Sequence, residues 1–233
     1  MAANGGAARS LIQHDAIIKM GRPQKTHRSS RDRSINTRQA LREAALELMD
    51  RDNSFDGLSL REITREVGVV PTTFYRHFSD MESLGLELVA ESFRTLRELL
   101  KVARQNAVPG DKIIRRSVET FVTYVRAHRR HFQFLARERF GGVAVIREEI
   151  RTEVRLLQSE LATDLGRFPL LKNWSTEDLN MISGLMINAM IGIVEQVLSS
   201  RRRGQDDEEL INIAEKQLRL IVLGVPQWRS QET

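Results

Sequence analysis

Apolar residues recur at intervals of three and four along most of this chain, the spacing that places them on one face of an α-helix. Short polar stretches containing glycine, proline or serine separate these segments, and such residues start and stop helices. No strand-like alternation and no internal repeat competes with this pattern. We therefore predict an all-α fold with helices at 35–51, 60–67, 71–78, 80–104, 111–128, 131–139, 143–165, 176–199 and 206–223.

Two serines mark helix starts in the N-terminal third of the chain. Ser59 is followed three residues later by Glu62. This is a capping box, in which each side chain accepts a hydrogen bond from a free backbone amide of the first turn. Ser79 and Glu82 have the same spacing, which predicts a second box at the start of the fourth helix. Gly68 is expected to end the helix that Ser59 begins.

Residues 60–78 read as a helix, a glycine turn and a second short helix, which is the plan of a helix-turn-helix motif. Pro71 suits the first position of the second helix, and it is predicted to share one face of that helix with Phe74 and Phe78. The opposite face carries polar side chains, namely Thr72, Thr73, Tyr75 and Arg76. Their donors and methyl groups suit base edges and phosphates in a DNA major groove. The alternative is that they only cap and solvate a helical hairpin.

Positive charge is concentrated next to this motif. The net charge is +5, and residues 1–42 carry nine Lys and Arg against two Asp. We interpret residues 1–33 as a disordered basic arm that supplies affinity for phosphates, or alternatively as an inert solubilising tail. Met20 is a possible alternative start of translation. The DNA-binding domain is then expected at 34–80, with its helix-turn-helix motif at 59–78.

Several function classes find little support. The chain has no cysteine and no Walker, dinucleotide-binding or nucleophile-elbow motif, so we expect neither an enzyme nor a thiolate site. His128 and His131 lack a third ligand at helical spacing, so no metal or other cofactor is expected. The apolar run at 181–194 is too short for a membrane span, and no signal peptide is apparent. We therefore predict a cytoplasmic protein with no membrane partner.

The motif resembles the signature of the TetR family of transcriptional regulators. The matching segments are Leu58-Ser59-Leu60-Arg61, Gly68-Val69 and Phe74-Tyr75-Arg76-His77-Phe78. The resemblance implies that the short helix enters the major groove and that Tyr75, His77 and the start of the first helix, at Thr37 and Arg38, contact phosphates. Arg61 joins this set of DNA-binding candidates. Many members of the TetR family carry a lysine where this chain has Met81. Any phosphate contact at this position is therefore expected from the backbone amides of residues 80–82.

A narrower resemblance, to repressors of unsaturated fatty-acid synthesis of the FabR and DesT types, extends over about residues 34–228. It rests on residues 84–86, 134–142 and 217–221 and on Trp228. It implies that residues 81–228 form a ligand-binding and dimerisation domain whose effector is a long-chain acyl-CoA or acyl-carrier protein. The candidate effector-binding residues are Phe121, Phe132, Phe134, Leu135, Leu157, Met186 and Met190, with Arg137 and Arg139 for phosphate.

The last two predicted helices each carry an apolar stripe. One stripe contains Met186 and Met190, and the other contains Leu218 and Ile221. Core packing explains either stripe, but the family resemblance implies a four-helix bundle between two subunits, with Gly184 and Gly192 allowing close approach. A homodimer on a palindromic operator is therefore expected. The alternatives are a TetR-type repressor that responds to a drug or another metabolite, and an acyl-binding scaffold without operator recognition.

Overall fold

The computed structural model describes residues 30–50, 54–105, 113–200 and 205–228 together with Ser230. These residues form nine α-helices and two short 3₁₀ turns and contain no strand, which confirms the all-α prediction. The helices are α1 (Ser30–Asp50), α2 (Leu60–Val67), α3 (Pro71–Phe74), α4 (Met81–Gln105), α5 (Ile113–Ala127), α6 (Arg129–Glu138), α7 (Ala144–Leu165), α8 (Thr176–Ser199) and α9 (Gln205–Gly224). The 3₁₀ turns lie at Phe55–Gly57 and Val225–Gln227.

The start of α1 differs from the sequence prediction. The helix begins at Ser30, whereas the first residue with an apolar period was Ile35. The residues that open the helix are polar in sequence, so they leave no trace in the hydrophobic pattern. The predicted disordered arm therefore loses its last residues to α1. The rest of that arm, and the alternative start at Met20, lie outside the described residues.

The capping boxes of α2 and α4 have different outcomes. The box of α2 is present: Ser59 Oγ accepts from the Glu62 amide at 3.2 Å, and Glu62 Oε2 accepts from the Ser59 amide at 3.0 Å. Gly68 ends α2 in the left-handed region with φ of 74°, as predicted. At α4 the predicted pairing of Ser79 with Glu82 is wrong. The cap lies one residue later, because Asp80 Oδ1 accepts from the Ser83 amide at 2.7 Å.

One hydrophobic core runs through both halves of the chain. It begins at Leu41 in α1, includes Phe55, Phe74 and Leu84, and reaches Ala214 in α9. In the larger domain, α7 packs on α4 and α8, while α9 packs on α5 and α8. The DNA-binding helices therefore share a continuous hydrophobic core with the larger helical domain.

Helix α8 combines buried and exposed apolar residues. It has the length and mean hydropathy of a membrane-crossing helix, at 1.6 over 18 residues, and 28% of that window is buried. Ile182, Ile193 and Val197 are buried between α8 and its neighbours. Met181 and Leu185 lie on the outside, exposed to 40% and 52%. The helix is therefore a core element that keeps a second apolar face toward the solvent.

Candidate functional site

The segment that begins with α3 is anchored by two aromatic rings. Phe74 and Phe78 are buried, with ring centroids 5.4 Å apart, and the Phe78 amide donates to the Phe74 carbonyl at 3.0 Å. The predicted partner on this face, Pro71, is instead exposed, because it lies at the first position of α3 above the core. Helical hydrogen bonding thus carries the segment one turn beyond α3 and fixes its orientation. We call residues 71–78 the recognition segment.

The outward face of the recognition segment is polar and accessible. Thr72 and Arg76 are exposed, and 63% of Tyr75 is exposed although its ring contacts Phe74 edge-on. Thr73 is half-buried. A convex helical surface that presents hydroxyls and a guanidinium from a rigid base has the shape and the donors needed to enter a major groove.

His77 lies at the edge of this face and is half-buried. Burial lowers the pKa of its imidazole, and the positive charges of Arg38 and Arg76 lower it further. The ring is therefore neutral at physiological pH. A neutral imidazole still donates one N–H to a phosphate oxygen, and an approaching phosphate would favour its protonation.

Arg38 joins α1 to α4 and to the recognition segment. Its Nε donates to Glu87 Oε1 at 2.9 Å, and its Nη1 donates to the His77 carbonyl at 2.9 Å. Its Nη2 also pairs with Glu87, and the guanidinium lies 4.8 Å from the centre of the Phe78 ring. These donors already have partners within the chain. Arg38 therefore orients the recognition segment, and the phosphate contact expected of it from the sequence stays a prediction.

The other DNA-binding candidates surround the recognition segment. Arg61 is exposed at the start of α2, and Thr37 is half-buried in α1. At the start of α4, Asp80 occupies the cap, and its amide donates to Ser83 Oγ at 3.3 Å. The Asp80 amide is therefore not free to donate to a phosphate, and the negative charge of the Asp80 carboxylate would repel one. The start of α4 is thus less suited to a phosphate than the sequence predicted.

The pairing of Glu87 predicts a pH dependence of stability. The hydrogen bond from Arg38, followed by the charges of Arg38 and Arg42, lowers the pKa of Glu87 against the opposing effect of burial. A lowered carboxyl pKa contributes stability above the ordinary carboxyl pKa, and this contribution is lost as the pH falls through the lowered value. Because the ion pair is half-exposed, Glu87→Gln is expected to cost about 1 kcal/mol at neutral pH.

Urea unfolding followed by circular dichroism at pH 7 and at pH 3 measures this effect. The difference between Glu87→Gln and the unchanged protein should be present at pH 7 and should shrink at pH 3. Glu209→Gln, an exposed carboxylate on α9, is the matched control and should change neither value. An equal loss for Glu87→Gln at both pH values would contradict the role of the carboxylate charge.

A cavity of about 1000 Å³ lies in the larger domain, enclosed mainly by α5 to α9 with one side on α4. Apolar side chains such as Val154, Leu161 and Ile187 form most of its wall. Of the nine predicted effector-binding residues, seven line this cavity: Phe121, Phe132, Leu135, Arg139, Leu157, Met186 and Met190. The volume is at the upper end of the range for small-molecule sites.

Phe134 and Arg137 do not line the cavity. Phe134 is buried against Phe55 on the other side of α6, with ring centroids 6.1 Å apart. Arg137 extends the same way, and its Nη1 donates to the Met49 carbonyl at the end of α1. Both therefore belong to the contact between α6 and the DNA-binding helices. The helical spacing of α6 did not distinguish its two buried faces.

Several cavity residues were not identified from the sequence. Besides Arg139, the cavity wall includes three further arginines, and two carboxylates oppose the four positive charges. Two of the aromatic rings in the wall are also largely solvent-exposed, which places them at its opening. These additional residues are Phe140, Arg151, Arg155, Asp164, Arg167, Phe168 and Glu195. No signal in the sequence separates them from an ordinary solvated helix face.

His128 and His131 have structural partners. The His128 ring stacks on Tyr124 with centroids 4.1 Å apart, and His131 Nδ1 lies 3.0 Å from Ser92 Oγ. Within the described parts of the chain, no three His, Asp or Glu side chains come together as metal ligands.

Two family models match the chain. Residues 41–88 match the bacterial regulatory proteins of the tetR family, and residues 111–224 match the tetracyclin repressor-like C-terminal domain. Together these matches cover more than two thirds of the chain. The first contains the whole recognition segment, and the second contains nearly all of the cavity wall.

Solved structures share the fold at low sequence identity. FadR from Bacillus halodurans, a fatty acid degradation regulator, has a TM-score of 0.63 at 12% identity, covering 78% of this chain and 94% of its own. FadR from Bacillus subtilis, in complex with stearoyl-CoA, has a TM-score of 0.61 at 12% identity, covering 80% and 98%. A TetR-like regulator from Rhodococcus sp. RHA1 has a TM-score of 0.61 at 16% identity, covering 80% and 95%.

The family models, the helical architecture and the solved structures agree with one another. The narrower likeness to repressors of unsaturated fatty-acid synthesis has no counterpart among these comparisons and stays a prediction. The broader resemblance read from the helix-turn-helix motif is confirmed. The chain belongs to the TetR family of transcriptional regulators.

Proposed function

We propose that this protein is a homodimeric, effector-controlled repressor that acts in the cytoplasm on fatty-acid synthesis genes, with those for unsaturated fatty acids as the first candidates. Its effector is a long-chain acyl thioester, either acyl-CoA or acyl-carrier protein. The observation that carries this proposal is the large apolar cavity behind the DNA-binding helices. Most of the cavity wall is formed by apolar side chains. A long apolar chain, such as that of a lipid, is therefore the ligand that fits it best.

The length of the cavity suits a long acyl chain. Its wall on α7 runs from Ile150 to Leu165. At a rise of 1.5 Å per residue, this stretch is about 22 Å long. One fatty acyl chain spans about 15 Å, half of the hydrocarbon thickness of a bilayer. An extended or bent chain of that length therefore fits along α7, and Met186 and Met190 offer adaptable side chains opposite it.

The charges of the cavity wall suit an anionic head group. Arg139, Arg151 and Arg155 lie in the part of the wall formed by the end of α6 and the middle of α7. Arg139 pairs with Glu195 at 3.4 Å, and Arg151 pairs with Glu148 at 2.6 Å. These exposed pairs are weak and can be exchanged for a phosphate without a large loss. FadR of Bacillus subtilis, which has the same fold, binds stearoyl-CoA.

An exposed apolar surface supports the proposed dimer. It is formed by Met181 and Leu185 on α8 together with Leu220 and Leu223 on α9, the last two exposed to 73% and 71%. We call it the α8–α9 face. The stripe predicted from the sequence, which includes Met186 and Met190, instead faces the cavity and the core. Gly184 likewise faces Gln158 on α7, whereas the space around Gly192 is open.

Operator recognition is assigned to the recognition segment. In this proposal Thr72, Thr73 and Arg76 contact base edges in the major groove, while Tyr75 and His77 contact phosphates. Thr37 on α1 and Arg61 on α2 contact the sugar-phosphate backbone of the DNA on either side of the recognition segment. Two recognition segments on a two-fold axis would read the two halves of a palindrome. A scaffold without operator recognition has no use for this exposed polar face, which disfavours that alternative.

Calorimetric titration of acyl-CoA into the protein tests the effector assignment. Leu161→Trp adds a bulky ring to the cavity wall and should weaken acyl-CoA binding at least about tenfold, because the ring takes up volume that the acyl chain needs. Leu156→Trp is the matched control, since Leu156 lies outside the cavity wall on the same helix and is half-exposed. No measurable acyl-CoA or acyl-carrier protein binding by the unchanged protein would favour a TetR-type repressor of drug or metabolite response.

A further inference from the structure

Glu138, the last residue of α6, is a buried carboxyl group at the contact between the two domains. Only 1% of the residue is exposed. Its Oε1 accepts a hydrogen bond from the Phe55 amide at 3.0 Å, across 83 positions of the sequence. Phe55 opens the 3₁₀ turn between α1 and α2. The end of α6 is thereby bonded directly to the backbone of the DNA-binding domain.

The other carboxyl oxygen has an unusual environment. Glu138 Oε2 is buried and has no hydrogen-bond partner. A Cβ atom on Gly141 would lie 2.1 Å from this oxygen, so the backbone at Gly141 passes directly against the carboxyl group. No residue other than glycine leaves the carboxyl in this position. Glycine at position 141 therefore allows the carboxyl group of Glu138 to lie where it does.

The carboxyl group is best accommodated in its neutral form. Burial raises the pKa of Glu138, and the nearby Asp56 carboxylate raises it further, against the opposing effects of the Phe55 amide and Arg137. An ionised carboxylate with one unsatisfied buried oxygen would be costly. In the neutral state Oε1 remains an acceptor for Phe55.

Helix α6 has two faces with different neighbours. Phe132, Leu135 and Arg139 face the cavity. Phe134 and Glu138 instead face Phe55. A displacement of α6 by a molecule in the cavity would therefore act directly on the bond between Glu138 and Phe55.

We propose that Glu138 is the positioning residue that holds the DNA-binding domain in a fixed orientation on the ligand-binding domain, through the Phe55 amide and against Gly141. It contacts neither operator nor effector and acts through the orientation of α1 to α3. A second role, in which Glu138 couples effector binding in the cavity to the orientation of the recognition segment, rests on the proposed function. The fixed orientation itself requires no effector.

The absence of cysteine allows a direct measurement of domain orientation. Arg61→Cys on α2 and Ser159→Cys on α7 provide two spin-label sites, both at exposed positions. Dilution of labelled subunits with unlabelled protein restricts the measured distance to one chain. Glu138→Ala is expected to broaden and shift this distance distribution and to remove the protection of the Phe55 amide from hydrogen exchange. Helix content by circular dichroism must be retained.

Two further variants separate the proposed role from general destabilisation. Glu138→Gln is neutral and keeps the acceptor oxygen, so it should retain the original distance distribution and Phe55 protection. Gly141→Ala keeps Glu138 but displaces its carboxyl group, so it should loosen the domains as Glu138→Ala does. Glu209→Ala on α9 is the control for loss of a carboxylate.

The outcomes distinguish this proposal from the proposed function. Unchanged distances and unchanged Phe55 protection in Glu138→Ala would overturn the positioning role. If Glu138→Gln loosens the domains as much as Glu138→Ala does, the positioning role is also overturned. A neutral acceptor for the Phe55 amide would then not be enough to hold the two domains in place. Because neither effector nor operator is added, a failure of the effector assignment leaves this result unaffected.

Discussion

Leu185→Glu combined with Leu220→Glu is expected to convert the proposed dimer into a folded monomer. Both residues lie on the α8–α9 face, and more than half of each is exposed in the single chain. In a dimer this face would be covered, and each carboxylate would be buried without a partner at a cost of several kcal/mol. Operator affinity should fall with the dimer, because one recognition segment alone reads only half of a palindrome.

Sedimentation velocity at micromolar concentration measures the change, with circular dichroism as the check on folding. Leu156→Glu is the matched control, because Leu156 is 49% exposed on α7 and lies outside the α8–α9 face. The control should remain dimeric. A folded double variant that sediments as a dimer would show that the subunits associate through another surface.

Arg76→Ala combined with Tyr75→Phe is expected to weaken operator binding strongly while leaving the fold intact. Both side chains are exposed, and the rings that anchor the segment, Phe74 and Phe78, are unchanged. Each lost good contact costs roughly 1–3 kcal/mol. The loss of Arg76 should also reduce the salt dependence of binding if its guanidinium neutralises a phosphate, and should relax sequence preference if it reads a base.

Gel shifts with a genomic fragment selected by the protein measure this loss. Lys172→Ala removes one positive charge at an exposed position in the loop between α7 and α8 and should leave the affinity unchanged. Equal operator affinities for the double variant and the unchanged protein would show that Tyr75 and Arg76 do not contact DNA.

Helix positions were predictable because packing of this chain follows the hydrophobic period. The predicted spans of α2, α7 and α8 match the structure to within one residue at each end. Local polar chemistry was less decisive. Ser79 with Glu82 and Asp80 with Ser83 both satisfy a capping pattern one residue apart, and only the geometry of the chain before α4 selects the second.

Long-range placement was harder to predict than helix position. Helix α6 has apolar residues on two faces, and its sequence does not say that Leu135 meets the cavity while Phe134 meets Phe55. Arg151 resembles any solvated arginine until α8 and α6 are placed beside it. Glu138 resembles a surface charge in a run of charged residues, and its burial depends on Phe55, 83 positions away.

A molecule in the cavity is expected to change the affinity of the recognition segments for DNA. Fluorescence anisotropy of a labelled operator fragment, titrated with protein in the presence and absence of saturating acyl-CoA, measures this directly. We expect a shift of operator affinity of roughly 5- to 150-fold, the usual range of coupling between two sites. The shift should be absent in Leu161→Trp and present in Leu156→Trp. If acyl-CoA binds by calorimetry and yet leaves operator affinity unchanged, occupation of the cavity does not control DNA binding.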